Sequence, residues 1–306
     1  MLQNGEIWQD IDGNDIQAHG GCIIEHEGVY YWYGEHKGRD NCPGRGRVDV
    51  IGVSCYSSRD LVNWKYEGLA LPADPDNEES MLHPSKVLER PKVLYNAKTK
   101  KFVMWFHSDT ADYVYAGTGV AVSEHPCGPF TYLGSFQPNR QDSRDMTLFQ
   151  DTDGTAYLLH SKDWNKTMNI ARLTEDYTDV DGFYVSVLTD QEREAPAVCY
   201  RNGMYYMVTS GCTGWHYNSA LFATCPHLLG KWKLIDNPCE GPGYRETFQG
   251  QSTYIFSAKG KDYLMLDHWI PKNLQKSGYS ILPISYDDQN NMTVTWTEEW
   301  KGISEE

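Results

Sequence analysis

Three carboxylic acids and one carboxamide stand at matching places in this chain: Glu89, Asp145, Glu194 and Gln251 each open a short apolar strand segment. The segments are ERPKVLYNAKTKKFVMWFH from Glu89, DMTLFQDTDGTAYLLHS from Asp145, EAPAVCYRNGMYYMVTS from Glu194 and QSTYIFSAKGKDYLMLD from Gln251. A fifth, GGCIIEHEGVYYWYG from Gly20, has the same layout. In each, a polar or glycine-bearing turn follows, then a strand rich in Tyr, Met, Val and Leu. Acids gathered in one place can do general acid–base work. Splitting a glycosidic bond needs one carboxyl group to protonate the departing oxygen and a second group to activate water from the other side, about 6.5–9.5 Å away when configuration inverts. One acid must then stay protonated near neutral pH, which burial or a neighbouring anion achieves. Any one of these acids alone reads as a strand-end residue paired to a surface Arg. Their shared place in a repeat argues for a common site.

The elements that must position them follow from the same repeat. Self-similar strand pairs whose lead residues return to one axis are the signature of a propeller. After each inner pair comes an outer pair: VIGVSCYSSRDLVNWKYEG, GTGVAVSEHPCGPFTYLG, MNIARLTEDYTDVDG, SALFATCPHLLGKWKLI and GYSILPISYDDQNNMTVTWTEEW. The expectation is an all-β, five-bladed propeller with four antiparallel strands per blade, using residues from about 17 to 300 of a single domain, 1–306. LTEDYTDV is too short and polar to be a core helix. The stretches Lys37 to Asp49 and Pro72 to Pro84 read as loops, either pocket rim or plain surface.

Composition narrows the partners. The formal net charge is -15 with 13% aromatic residues. That charge repels nucleic acid, and no basic run favours an anionic membrane surface. No apolar run approaches the ~20 residues needed to span a bilayer. No signal peptide is visible in MLQNGEIWQDIDG, so the expected location is secreted or periplasmic if a leader was removed and cytoplasmic otherwise. The eight Cys form no CxxC and no zinc-type cluster with His, and free thiols are expected. GRGR and GTGV lack the strand-to-helix context of a phosphate loop. Flat aromatic rings are common both in blade packing and against the C–H faces of sugars.

The motifs ERPKV, SRD before FQDTDGTAYL, and EAP before RNGMYYMVTSGCTGW, with IQAHGG, YYWYGE and GQSTY, together resemble glycoside hydrolase family 43 over nearly the whole chain. Within it they are most similar to the exo-β-1,3-galactanase branch. The resemblance implies an inverting enzyme that releases galactose from β-1,3-galactan, the backbone of arabinogalactan, and needs no cofactor. It implies Glu194 as general acid, Asp145 as the acid that tunes and orients it, and Glu89 as a branch-specific carboxylate near the reacting sugar. Most of the family opens the first blade with an Asp that serves as base. In this chain Gly20 is assigned to that place, between His19 and Gly21, and Asp15 lies too early to replace it. In the similar branch a glutamine is implicated in holding the water, and Gln251 matches it. The simplest assignment has Gln251 orient the water and Glu89 receive its proton; a transient imidic tautomer of Gln251 is the alternative.

For the substrate, Glu35, Tyr113 and Asn165 are expected to line the pocket, with Thr213 offering a hydroxyl and Trp215 a stacking face. Tyr115, Trp164 and Trp269 are weaker candidates. His19 reads as a structural histidine or as a group that holds a water or ion near the axis. No metal-binding site is assigned; some relatives carry calcium in the channel, but no DxDxDG-type loop shows one in this sequence. Other activities of the family, on α-L-arabinofuranosides, β-xylosides or β-galactofuranosides, remain alternatives, as does a non-catalytic sugar-binding propeller.

Overall fold

The computed structural model describes residues 1–44 and 46–303, and they form a five-bladed β-propeller. Blade one is built from His19–His26, Val29–Glu35, Gly52–Ser58 and Lys65–Pro72. Blade two uses Val87–Asn96, Lys101–Asp109, Gly117–Ser123 and Thr131–Phe136. Blade three uses Met146–Gln150, Ala156–Lys162, Thr167–Leu173 and Val180–Val187. Blade four uses Arg193–Arg201, Met204–Gly211, Leu221–Cys225 and Lys233–Leu234. Blade five uses Gln251–Ala258, Lys261–His268, Gly278–Tyr286 and Met292–Thr295, and gains Cys239–Glu240 as a parallel fifth strand that the repeat does not predict. Innermost strands neighbour one another in chain order and the fifth returns to the first. At the seam, Leu2–Gln3 pairs with Glu299–Trp300.

Period-two alternation makes each blade apolar on both faces, so the cores lie between blades. Ile23 and Trp32 face blade five, beside Met265, Tyr279 and Ile281. Cys22 and Tyr33, their neighbours in sequence, face blade two, beside Val93, Met104 and Phe106. The remaining gaps are filled the same way. Trp32 is fully buried and packs edge-on to Trp8, Trp64 and Tyr279. Trp32→Ala is expected to destabilise the fold by about 3–5 kcal/mol, seen as a lower denaturant midpoint with unchanged slope. All eight cysteines are free.

The inner strands share a local device. In blade one His19 pairs with Glu35 and the next ladder pair is Cys22 with Tyr33, so one residue is extra. Blade two does this between Glu89–His107 and Lys92–Trp105, and blade four between Glu194–Ser210 and Ala197–Val208. Blade five passes from Gln251–Asp267 to Tyr254–Met265 with the same offset. Such bulges bend the strand and re-aim the side chain at its start. The residues following the leads, Gly20, Arg90 and Ala195, have φ of 58°, 55° and 51°. This register corrects one assignment: His19, not Gly20, stands level with Glu89, Glu194 and Gln251. Gly20 instead shares the left-handed position of Arg90 and Ala195. The inner strand pair of blade three has no bulge, and Asp145 sits just before its first strand.

Candidate active site

Directly opposed residues on an antiparallel ladder put their side chains on one face. The lead residues therefore bring second-strand partners with them: Glu35 beside His19, His107 beside Glu89, Ser210 beside Glu194 and Asp267 beside Gln251. A cavity of about 380 Å³ opens over this double ring, lined by Glu35, Glu89, Asp145, Glu194, Gln251 and their neighbours. It falls within the size range of small-molecule sites.

Arg90 is the hub. Its left-handed backbone turns the side chain across the channel. One terminal nitrogen donates to Gln251 Oε1 at 2.6 Å and pairs with Asp145 Oδ2 at 3.2 Å. The other reaches Ser252 O and Thr253 Oγ1, and the backbone N–H donates to Glu35 Oε1 at 3.0 Å. The neighbouring arginines thus do not serve the acids beside them. Arg90 pairs with Asp145 rather than Glu89, while Arg144 pairs with Asp142 and lies over Trp164.

Glu194 is buried, and both oxygens are held by amides. Oε2 accepts from Asn165 Nδ2 at 3.0 Å and Oε1 from Gln251 Nε2 at 3.2 Å. Burial first and the charge of Asp145 second push its pKa up to about 8, against the opposing pull of Arg90. Asp145 Oδ2 accepts the backbone N–H of Ala195 at 3.0 Å, which ties blade three to the strand that carries Glu194.

Glu89 has the reverse character. Burial would raise its pKa, but a hydrogen bond and the charge of His107 outweigh that and bring it to about 2. Its Oε2 is 3.3 Å from His107 Nδ1 and its Oε1 accepts from Tyr113 at 2.7 Å. His107 is in turn 2.9 Å from Asp109, and these two carboxylates overcome its burial and raise its pKa to about 9. Glu35 is buried against Lys37, with Oε2 2.6 Å from Lys37 Nζ.

Gln251 is fully engaged. Its oxygen accepts from Arg90 and, at 2.8 Å, from Trp269 Nε1; its nitrogen donates to Glu194 and, at 2.9 Å, to Ser210 Oγ. Two donors on the oxygen favour the ordinary amide and work against an imidic tautomer.

Of the residues expected to contact a sugar, Glu35, Tyr113, Asn165 and Trp215 line the cavity. Thr213 does not: its hydroxyl donates to His216 O at 2.5 Å and accepts from Asn218, closing its own turn. Trp269, a weaker candidate, lines the wall and packs edge-on to Trp215 at 4.8 Å between ring centres. Tyr115 and Trp164 do not line the cavity, and Trp164 is exposed. His19 is fully buried among Gln17, Tyr279 and Asp267. Asp15 pairs with Lys276. Gly46 and Arg47, from the Lys37 to Asp49 loop, reach the cavity; the Pro72 to Pro84 loop does not. Arg47, Arg90, His107 and Arg144 line it without having been singled out as site residues. For His107 the signal was present: a polar residue ending the apolar run FVMWF, level with the turn back toward the axis. Among the described residues no cluster of three or more His, Cys, Asp or Glu is arranged to hold a metal ion.

Comparison with known proteins places this site in context. A family 43 β-1,3-galactosidase solved with galactodeoxynojirimycin is 40% identical, with a TM-score of 0.92 over 98% of this chain and 99% of that one. The exo-β-1,3-galactanase of Phanerochaete chrysosporium, solved with β-1,3-galactotriose, is 35% identical, with a TM-score of 0.87 over 96% of this chain and 66% of that one. The exo-β-1,3-galactanase of Clostridium thermocellum is also 35% identical, with a TM-score of 0.86 over 96% and 64%. The search of curated proteins found no match. Residues 17–279, nearly the whole propeller, match the sequence profile of glycosyl hydrolases family 43. A match of that extent, with a structural relative 40% identical over nearly the whole of both chains, makes the chain a glycoside hydrolase that belongs to family 43.

Proposed function

We propose that this enzyme removes single galactose units from the end of β-1,3-linked galactan with inversion of configuration. The observation that carries the reading is Glu194, a buried carboxyl whose pKa is raised to about 8 by burial and by Asp145. It lies in a chain 40% identical to a β-1,3-galactosidase. At neutral pH Glu194 holds a proton and delivers it to the departing glycosidic oxygen. Asp145 keeps that proton in place and, through the Ala195 N–H, fixes the strand that carries the donor. Arg90 stays charged despite burial because Asp145, Asp267, Glu35 and Glu194 surround it, and it ties the ring together. Glu89, held ionised by His107, accepts hydrogen bonds from sugar hydroxyls. Trp215 and Trp269 offer aromatic surface to the C–H face of the ring. The proposed reaction takes no cofactor.

The test is incubation with β-1,3-galactobiose and with aryl glycosides of β-galactose, α-arabinofuranose, β-xylose and β-galactofuranose, followed by NMR. Galactose from the disaccharide, released first as the α anomer, is expected. Cleavage of an arabinofuranoside, xyloside or galactofuranoside instead would move the substrate to another sugar. Binding without turnover of any of them would make this a sugar-binding propeller.

A further inference from the structure

We propose that the general base of this reaction is Glu35, whose carboxylate takes the proton of the water that attacks the anomeric carbon. The inference rests on the hydrolytic reading above. Inversion requires the base to face the acid across the sugar. In a five-membered ring of blades with Glu194 on the fourth, the third and fifth blades are its neighbours, and the first and second lie across the channel. Gln251 on the fifth touches Glu194 directly at 3.2 Å, far short of the ~6.5–9.5 Å that an inverting pair spans. Asp145 on the third bonds to Ala195, the residue next to the acid. The carboxylates across the channel are Glu89 and Glu35.

Glu89 is poorly suited. Its oxygens already accept from the Tyr113 hydroxyl at 2.7 Å and face His107 Nδ1 at 3.3 Å, which leaves room for a sugar hydroxyl, but a carboxylate held at a pKa of about 2 is a weak proton acceptor. Glu35 differs in three respects. It reaches the ring because residue 20 is a glycine: a Cβ there would stand 2.3 Å from Glu35 Oε1. The φ of 58° at Gly20 reinforces that requirement. The carboxylate thus fills the place where a side chain from the inner strand of blade one would otherwise project. Next, its partners are the Lys37 ammonium, 2.6 Å from Oε2, and the Arg90 backbone N–H, 3.0 Å from Oε1, and with both in place the residue still lines the cavity. Finally, burial raises the pKa of Glu35, with Lys37 opposing and the charge of Glu89 adding to the rise, so it is the stronger base of the two.

In the step itself the water oxygen bonds to C1. The bond from C1 to the glycosidic oxygen breaks, and its electron pair goes to that oxygen, which takes the proton of Glu194. The water's proton goes to Glu35. Glu194 ends ionised and Glu35 protonated, and exchange with solvent resets both.

The experiment uses Glu35→Ala, Glu35→Gln and Glu89→Ala, each checked for folding by thermal melting, with an activated aryl β-galactoside as substrate. Glu35→Ala is expected to lose roughly 10²–10⁴-fold in kcat with little change in KM. Sodium azide, which needs no proton removed, should restore its turnover and yield α-galactosyl azide. The acidic limb of the wild-type pH profile should disappear in Glu35→Gln, which also serves if the alanine variant does not fold. Retained kcat with a raised KM would reduce Glu35 to a hydroxyl contact and overturn the proposal. So would azide rescue of Glu89→Ala in place of Glu35→Ala. The wild type is assayed first on β-1,3-galactobiose. If it fails there but cleaves another glycoside, only the substrate reading falls, and the Glu35 series is run on that glycoside. If it cleaves none, both fall.

Discussion

Glu194→Gln is expected to lower kcat on β-1,3-galactobiose by roughly 10²–10⁴-fold while leaving the fold intact. Glutamine keeps the shape of the side chain and can still contact Asn165 and Gln251. What it lacks is the proton. The loss should therefore depend on the leaving group. A dinitrophenyl galactoside departs as a stable anion and needs little protonation, so the variant should approach wild-type rates on it. Equal losses on both substrates would show that Glu194 acts by some means other than proton donation. The pH dependence carries the same information. Glu194 is protonated below about 8, so wild-type activity should fall as the pH rises through that value. Stability follows the same sign. The folded protein holds this proton more tightly than the unfolded chain, so the contribution is present at low pH. It is lost as the pH climbs from the ordinary glutamate range through about 8.

Asp145→Asn should move that alkaline limb to lower pH and reduce kcat near pH 7.5 by roughly 10²-fold. Two effects act in one direction. The variant removes the anion that is the second cause of the raised Glu194 pKa. It also leaves Arg90 without its 3.2 Å carboxylate partner, and the freed cation favours ionised Glu194. The donor then loses its proton at a pH where the wild type still holds it. A pH–rate profile measured on one substrate decides the matter. If the limb stays near 8 while kcat falls, Asp145 orients the acid without tuning it.

Much of this architecture is legible in one dimension. Alternation such as CIIEHEGVYYWYG encodes a strand pair with two buried faces, and its fivefold recurrence gives the blade count. Glu89, Asp145, Glu194 and Gln251 can be picked out because each opens a repeat, which is a local property. The rest depends on pairings between distant segments. Whether His19 or Gly20 leads the first blade turns on where a bulge falls, and a shift of one position redirects a side chain. Arg90 looks in sequence like the partner of Glu89, yet its left-handed backbone sends it to Asp145 and Gln251. Thr213 looks available and is consumed by its own turn.

The amino-acid order alone determined the propeller, the family and the acid-bearing strands, because period-two patterning and repeat position are written along the chain. Only the tertiary structure decided which group each acid meets. Glu194 holds a proton because burial and Asp145 act on it together, and Glu89 loses one because His107 stands beside it. The physical reason is that a pKa is set by desolvation and by charges a few ångströms away. In this ring Asp145 reaches Glu194 from another blade, and His107 reaches Glu89 from the facing strand of the same blade.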